Sequence, residues 1–247
     1  NPNIFKIFFS DFYLIYAGSE LLNQGNNPYE EWLKIHNMPF FNPPIVFKFF
    51  EFLANFEYLQ TVKFWFFILL LSYFSIPLIL FKTFKTNSEF FYIFLLCFGG
   101  ISISVFFTGN LSVVLGAVFA TGIFFLNKGK DHFFYAILSI LSLIKFPYLI
   151  FFGIPFLIKG MSKKVFINTF IYLSLIFFLY LFSFYQNNEL FISWISSLEF
   201  SKNIGDKGDL GRGLFRLSEN YFFSESYLNY ITYFLISGIL FIFLIYL

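Results

Sequence analysis

Asp11 is the residue of this chain best suited to chemistry. It stands in Ser10-Asp11-Phe12-Tyr13, where a short apolar segment meets a polar, aromatic loop. A carboxylate held where a chain leaves a bilayer is costly unless it has a job, so its first reading is chemistry at a membrane surface. Cations that could accompany it are Lys145, which interrupts a long apolar stretch in Lys145-Phe146-Pro147, and Arg212 and Arg216, spaced i, i+4 in the only Arg-containing stretch. Arg suits bidentate contact with phosphate. Each residue also has a plain structural reading. Ser10 or Asp11 could cap the helix that starts there, Lys145 could snorkel to an interface, and the arginines could pair with Asp206, Asp209 or Glu219.

Other residues carry less. His36 and His132 have no partner at metal-ligand spacing and read as structural. Trp32, Trp65 and Trp194 fall near span ends or in loops, where an interfacial anchor is the ordinary role. Adjacent carboxylates point apart on a helix or strand, so Glu30-Glu31 reads as surface charge. No Asp-x-Asp pair sits in a loop, which argues against the usual nucleotide-sugar metal site. The lone Cys97 lies in an apolar run, which leaves no disulfide within the chain.

The elements that position these residues are built for lipid. Apolar residues make up 58% of the 247, charged residues only 12%, and 46 positions are Phe, against about 25% charged in an ordinary soluble domain. The expectation is an all-α, polytopic membrane protein, with the Phe excess as lipid-facing bulk. A net charge of +2 without a basic cluster argues against nucleic acid. The chain begins at Asn1 with an apolar run too short to span a bilayer and ends at Leu247 inside another. It therefore reads as a single transmembrane domain over 1–247 that lacks the start of a first span and a C-terminal section.

Apolar runs mark spans at 61–82, 89–108, 111–127, 132–160, 165–185 and 227–247. A single helix over 132–160 would be roughly 40 Å long, against a hydrocarbon core of about 30 Å. Loop charge resolves the ambiguity. Lys82 and Lys85, Lys128 and Lys130, and Lys159, Lys163 and Lys164 share one side only if 132–160 is a hairpin turning at Lys145. Those loops are then cytoplasmic. Asp11, the Gly109-Asn110 turn, Lys145 and a long loop over 186–226 face the other side.

On that outer side, residues 11–24 read as a helix with Leu14, Ile15, Gly18, Leu21 and Leu22 on one face, stopped by Asn23-Gln24-Gly25-Asn26-Asn27-Pro28. Asn42-Pro43-Pro44 opens a second, with Ile45, Val46, Phe49, Phe50, Leu53 and Phe56 facing one way and Lys48, Glu51 and Asn55 the other. This is the pattern of an amphipathic helix lying in the membrane interface.

The order Asp11-Phe12-Tyr13-Leu14-Ile15-Tyr16, Leu21-Leu22-Asn23-Gln24-Gly25, Pro28-Tyr29, Asn42-Pro43-Pro44, Gly109-Asn110 and Lys145-Phe146-Pro147 resembles glycosyltransferase family 87. The resemblance runs in order over residues 10–160 and more loosely over 186–247. Gly109-Asn110 stands where the family usually has Gly-Gln, and Lys145-Phe146-Pro147 where it has Lys-Pro. The resemblance implies a GT-C fold and transfer of a hexose, mannose-like, from a polyprenyl-phosphate donor to a lipid or glycan acceptor. It also implies a catalytic Asp11 and substrate contacts from Tyr13, Tyr29, Asn42, Asn110 and Lys145, joined by Arg212 and Arg216. No cofactor or metal is expected.

Physical chemistry agrees with such a role. Hydrolysing a glycosidic bond generally takes two carboxylates, but a lipid-linked phosphate already leaves readily. One base near the acceptor hydroxyl and a few groups to hold the departing phosphate then suffice. The expectation is a glycosyltransferase of the bacterial plasma membrane with an extracytoplasmic site. The rival reading is a transporter or lipid flippase, since broken helices also occur at transport sites.

Overall fold

The computed structural model describes residues 9–37, 39–84 and 105–205, and every regular element among them is helical. The chain divides into two compact units, 1–197 and 198–247. The elements are α1 (Ser10–Asn23), α2 (Pro28–His36), α3 (Pro44–Phe50) with a 3₁₀ continuation (Glu51–Asn55), α4 (Tyr58–Phe84), α5 (Ser112–Asn127) and α6 (Asp131–Ile144). A 3₁₀ segment (Phe146–Gly153), α7 (Ile154–Lys159), α8 (Lys163–Gln186) and α9 (Asn188–Gly205) follow.

Helices α4 and α8, of 27 and 24 residues, are long and apolar enough to cross a membrane. Only 17% and 22% of their most apolar windows are buried, which separates them from the core helix of a soluble fold and fits membrane association. The expected spans 89–108, for all but its last turn, and 227–247 lie outside the described residues, as do Lys85 and Cys97.

The stretch 132–160 is a hairpin, as loop charge implies. Helix α6 stops at Lys145, whose backbone is extended (φ −135, ψ 105). Pro147 just beyond it has no N–H to offer an α-helix. The returning 3₁₀ segment packs on α6, and the hairpin's two ends meet in an ion pair between Asp131 and Lys159. Small residues let its neighbour come close: a Cβ on Gly122 of α5 would stand 3.3 Å from Ile137 and 3.4 Å from Phe134 of α6.

Helices α4 and α5 run the same way, α6 runs back along α5, and α8 runs the same way as α6, which sorts the loops into two ends. Asn127 donates to the Thr83 carbonyl at 2.8 Å, joining the ends of α4 and α5 near Asp131. Tyr135 and Thr169 meet at 3.0 Å towards that end of α6 and α8. Tyr180 donates to the carbonyls of Ser142 and Leu143 towards the other. The second end holds Asp11, the Gly109 turn, Lys145 and Gln186.

Three expectations are corrected here. In α3 the buried set is Val46, Phe47, Phe50 and Leu53, while Phe49 and Phe56 are exposed. Phe47 is drawn in because Gly18 of α1 leaves room for its ring, which a Cβ there would overlap. The helix also tightens to 3₁₀ at Glu51 and ends before the extended Phe56, so a 3.6-residue period does not reach that far. In α1 burial extends past the expected face to Phe12, Tyr16 and Ser19, while Leu21 and Leu22 are only half-buried; Ser19 donates to the carbonyls of Ile15 and Phe47. Finally, Asn188–Gly205 is helical where a loop was expected. Asn187 starts it by accepting from Leu190 N at 3.2 Å.

Candidate functional site

Asp11 lies in the first turn of α1, where the helix dipole favours a carboxylate. It is not a cap: Phe9 occupies the cap position, and no side chain caps the helix. The next residue fixes its place. Phe12 stacks on Trp65 of α4 with ring centroids 4.7 Å apart, and Trp65 Nε1 donates to the Gly109 carbonyl at 2.9 Å. Gly109 has φ +69, and a Cβ on it would stand 2.6 Å from the Phe9 ring and 3.0 Å from Phe12 Cβ. Only glycine lets the 109–111 turn lie against α1 in this way.

That contact delivers Asn110 to Asp11. Asn110 Nδ2 donates to Asp11 Oδ2 at 2.7 Å, and Asn110 Oδ1 accepts from Ser112 N at 2.8 Å, which settles the orientation of the amide. Ser112 Oγ in turn accepts from Lys145 Nζ at 2.5 Å. A continuous polar chain, Asp11–Asn110–Ser112–Lys145, thus joins three turns that are far apart in sequence.

The chain leaves capacity unused. Among the described residues Asp11 accepts only through Oδ2, and Lys145 makes no direct ion pair; the pairs found are Lys34–Glu31 and Lys159–Asp131. Burial pushes the Lys145 ammonium below the usual lysine range, and the charge of Asp11 offsets part of that. A carboxylate oxygen able to take a proton therefore sits in one network with an ammonium that has N–H groups to spare.

The remaining expected residues separate into groups. Tyr13, half-buried and two residues along α1 from Asp11, packs edge-on to Trp32 at 5.9 Å and to Tyr58 at 5.3 Å. Tyr29 and Asn42 meet each other instead. The Tyr29 hydroxyl donates to the Asn42 carbonyl at 2.6 Å, the ring is 2% exposed between Phe40 and Phe47, and burial drives its phenol well above the ordinary range. Arg212 and Arg216 lie outside the described residues.

Two residues of the site were not singled out for it by sequence. Ser112 offers no pattern beyond its place after Asn110. Trp65, expected as an interfacial anchor, is instead 3% exposed and holds the Gly109 turn; Trp32 is similarly buried, and Trp194 Nε1 donates to the Phe41 carbonyl. A cavity of about 270 Å³ opens beside this group, lined wholly by apolar side chains that include Phe50, Leu53, Trp65, Leu111, Leu141 and Ile144. Leu111 and Ile144 are chain neighbours of Asn110 and Lys145. Comparison with known protein families, with curated proteins and with solved structures finds no match for this chain.

Proposed function

We propose that the chain is a polytopic, GT-C-like membrane glycosyltransferase of the family 87 type, moving a mannose-like hexose from a polyprenyl-phosphate donor to a lipid or glycan acceptor. The observation that carries the reading is the Asp11–Asn110–Ser112–Lys145 chain. Asn110 fixes one oxygen of Asp11, and the other takes the proton of the acceptor hydroxyl. The acceptor oxygen bonds to the anomeric carbon as the bond to the phosphate oxygen breaks, inverting that centre. The phosphate departs with the electron pair, and Lys145 receives its charge. The apolar cavity between Trp65, Leu111 and Ile144 supports a lipid-borne donor, since a hydrocarbon chain fills such a wall better than water does. Helices α4 and α8 cross the bilayer in this reading. The Asp131 end faces the cytoplasm of a bacterial cell, and the Asp11 end faces outward.

The break at Lys145 is the observation that favours a transporter instead. One assay separates the two. Full-length protein in liposomes is given polyprenyl-phosphate mannose or nucleotide-linked mannose, each radiolabelled in the sugar. Transfer of label to a new product from the lipid donor alone is expected. Label that crosses the bilayer still attached to its donor would replace the enzyme reading with transport.

A further inference from the structure

A second pocket lies between α3 and the ends of α6 and α8, with a volume of about 210 Å³. Its lining is mainly apolar, with Leu143, Leu179 and Phe182 among the residues, and it also takes in Lys48, Gln186 and Asn187. Lys48 is exposed and belongs to neither ion pair found among the described residues. Asn187 uses its Oδ1 to cap α9, which leaves its amide hydrogens as donors. No carboxylate lines the pocket. The small polar part of its lining therefore holds donors and one positive charge, as an anion requires.

Depth adds the second half of the argument. Helix α8 has 24 residues, about 36 Å of length against a hydrocarbon core of about 30 Å. Its last turn, Ser183–Gln186, then emerges at headgroup level, with Leu179 still among acyl chains. Tyr185, 87% exposed on that turn, fits an aromatic belt at the same depth.

We infer that this pocket binds an anionic phospholipid, its headgroup phosphate on Lys48 and the Asn187 amide and an acyl chain along Leu143, Leu179 and Phe182. The inference rests on the membrane part of the reading above and not on sugar transfer, so it survives if no transferase activity is found. The test is native mass spectrometry of the full chain, released from micelles containing equal amounts of phosphatidylglycerol and phosphatidylcholine. Phosphatidylglycerol should be retained over phosphatidylcholine by about fivefold, the increment of one interfacial lysine. Lys48→Gln should erase the preference and Lys48→Arg keep it, while Lys63→Gln, an exposed lysine of the same end, should leave it unchanged. Equal retention of the two lipids, or a preference that survives Lys48→Gln, would overturn the site. So would an equal loss with Lys63→Gln, which would reduce the effect to general surface charge. Displacement by millimolar glycerol phosphate would also overturn it, because the apolar wall would then contribute nothing.

Discussion

At each end of the helical bundle an aspartate is linked to a lysine, and the two ends treat the same pair of groups differently. At one end Asp131 meets Lys159 directly, with 10% and 30% of their side chains exposed. Each neutralises the other, and the contact closes the hairpin. At the other end Asn110 and Ser112 stand between Asp11 and Lys145. The spacers orient both charged groups yet leave a carboxylate oxygen and ammonium hydrogens uncommitted. The difference shows how one charge pair serves as a clasp while the other, in the proposed reading, stays available as a reactive couple. Contact spends the charges, and separation by neutral hydrogen-bonding groups keeps them available.

The sharpest way to break the comparison is to neutralise each aspartate in turn. Asp11→Asn keeps the shape and an acceptor for Asn110 but removes the base, so transfer from polyprenyl-phosphate mannose should fall by a factor on the order of 100 to 10,000. Asp131→Asn should change the rate of folded protein by no more than about twofold. Equal losses in the two variants would erase the distinction.

Stability should rank the aspartates the other way. Asp131→Asn leaves Lys159 without its partner at a mostly buried site, and a loss of roughly 1–3 kcal/mol lies between exposed and buried pairs. Asp11→Asn should cost less than about 1 kcal/mol, since a hydrogen bond to Asn110 remains possible. Chemical denaturation of both variants in the same detergent reads the order directly.

Acidity sharpens the contrast at Lys145. Burial lowers its pKa, so its proton leaves at lower pH than that of an ordinary lysine, near 10.4. Between the lowered value and 10.4 the unfolded chain binds more protons than the folded one. Stability from this group therefore rises with pH across that window, the penalty being fully present below it. Activity should run the opposite way, falling on an alkaline limb below the ordinary lysine range as the ammonium is lost. Lys145→Arg should move that limb upward, out of reach, because guanidinium keeps its proton. A limb that does not move would detach Lys145 from the reaction.

The smallest effect concerns the spacer. Ser112→Ala removes the oxygen that holds Lys145 but keeps the backbone N–H that holds Asn110. A loss near 1 kcal/mol, or about fivefold in kcat/KM for the donor, is expected, with the acceptor KM unchanged.

How much of this was legible before folding depends on the kind of interaction. The hairpin could be read because charge and helix length act locally and both pointed to a turn at Lys145. Asp11 and Lys145 stood out as charges in apolar surroundings, and the resemblance brought in Asn110. Ser112 and Trp65 could not be read, since one acts through a hydroxyl and the other through an indole N–H aimed at a carbonyl 44 residues away. Phe47 illustrates the same limit. Its burial depends on the missing side chain of Gly18 in another helix, which no periodicity within α3 encodes. Helix α9 did carry a signal: an Asn at the cap followed by Leu190, Trp194 and Ser197 at helical spacing.

The most direct measurement is of carboxylate availability. Full-length protein in liposomes permeable to small reagents is treated with a water-soluble carbodiimide and glycine ethyl ester, with and without polyprenyl-phosphate mannose, and the modified aspartates are mapped by peptide mass spectrometry. A free Asp11 oxygen at the proposed donor site predicts modification of Asp11, protection of Asp11 by the donor, and little modification of Asp131 in either condition. Modification of Asp131 as readily as Asp11, or labelling of Asp11 that the donor leaves unchanged, would contradict the account.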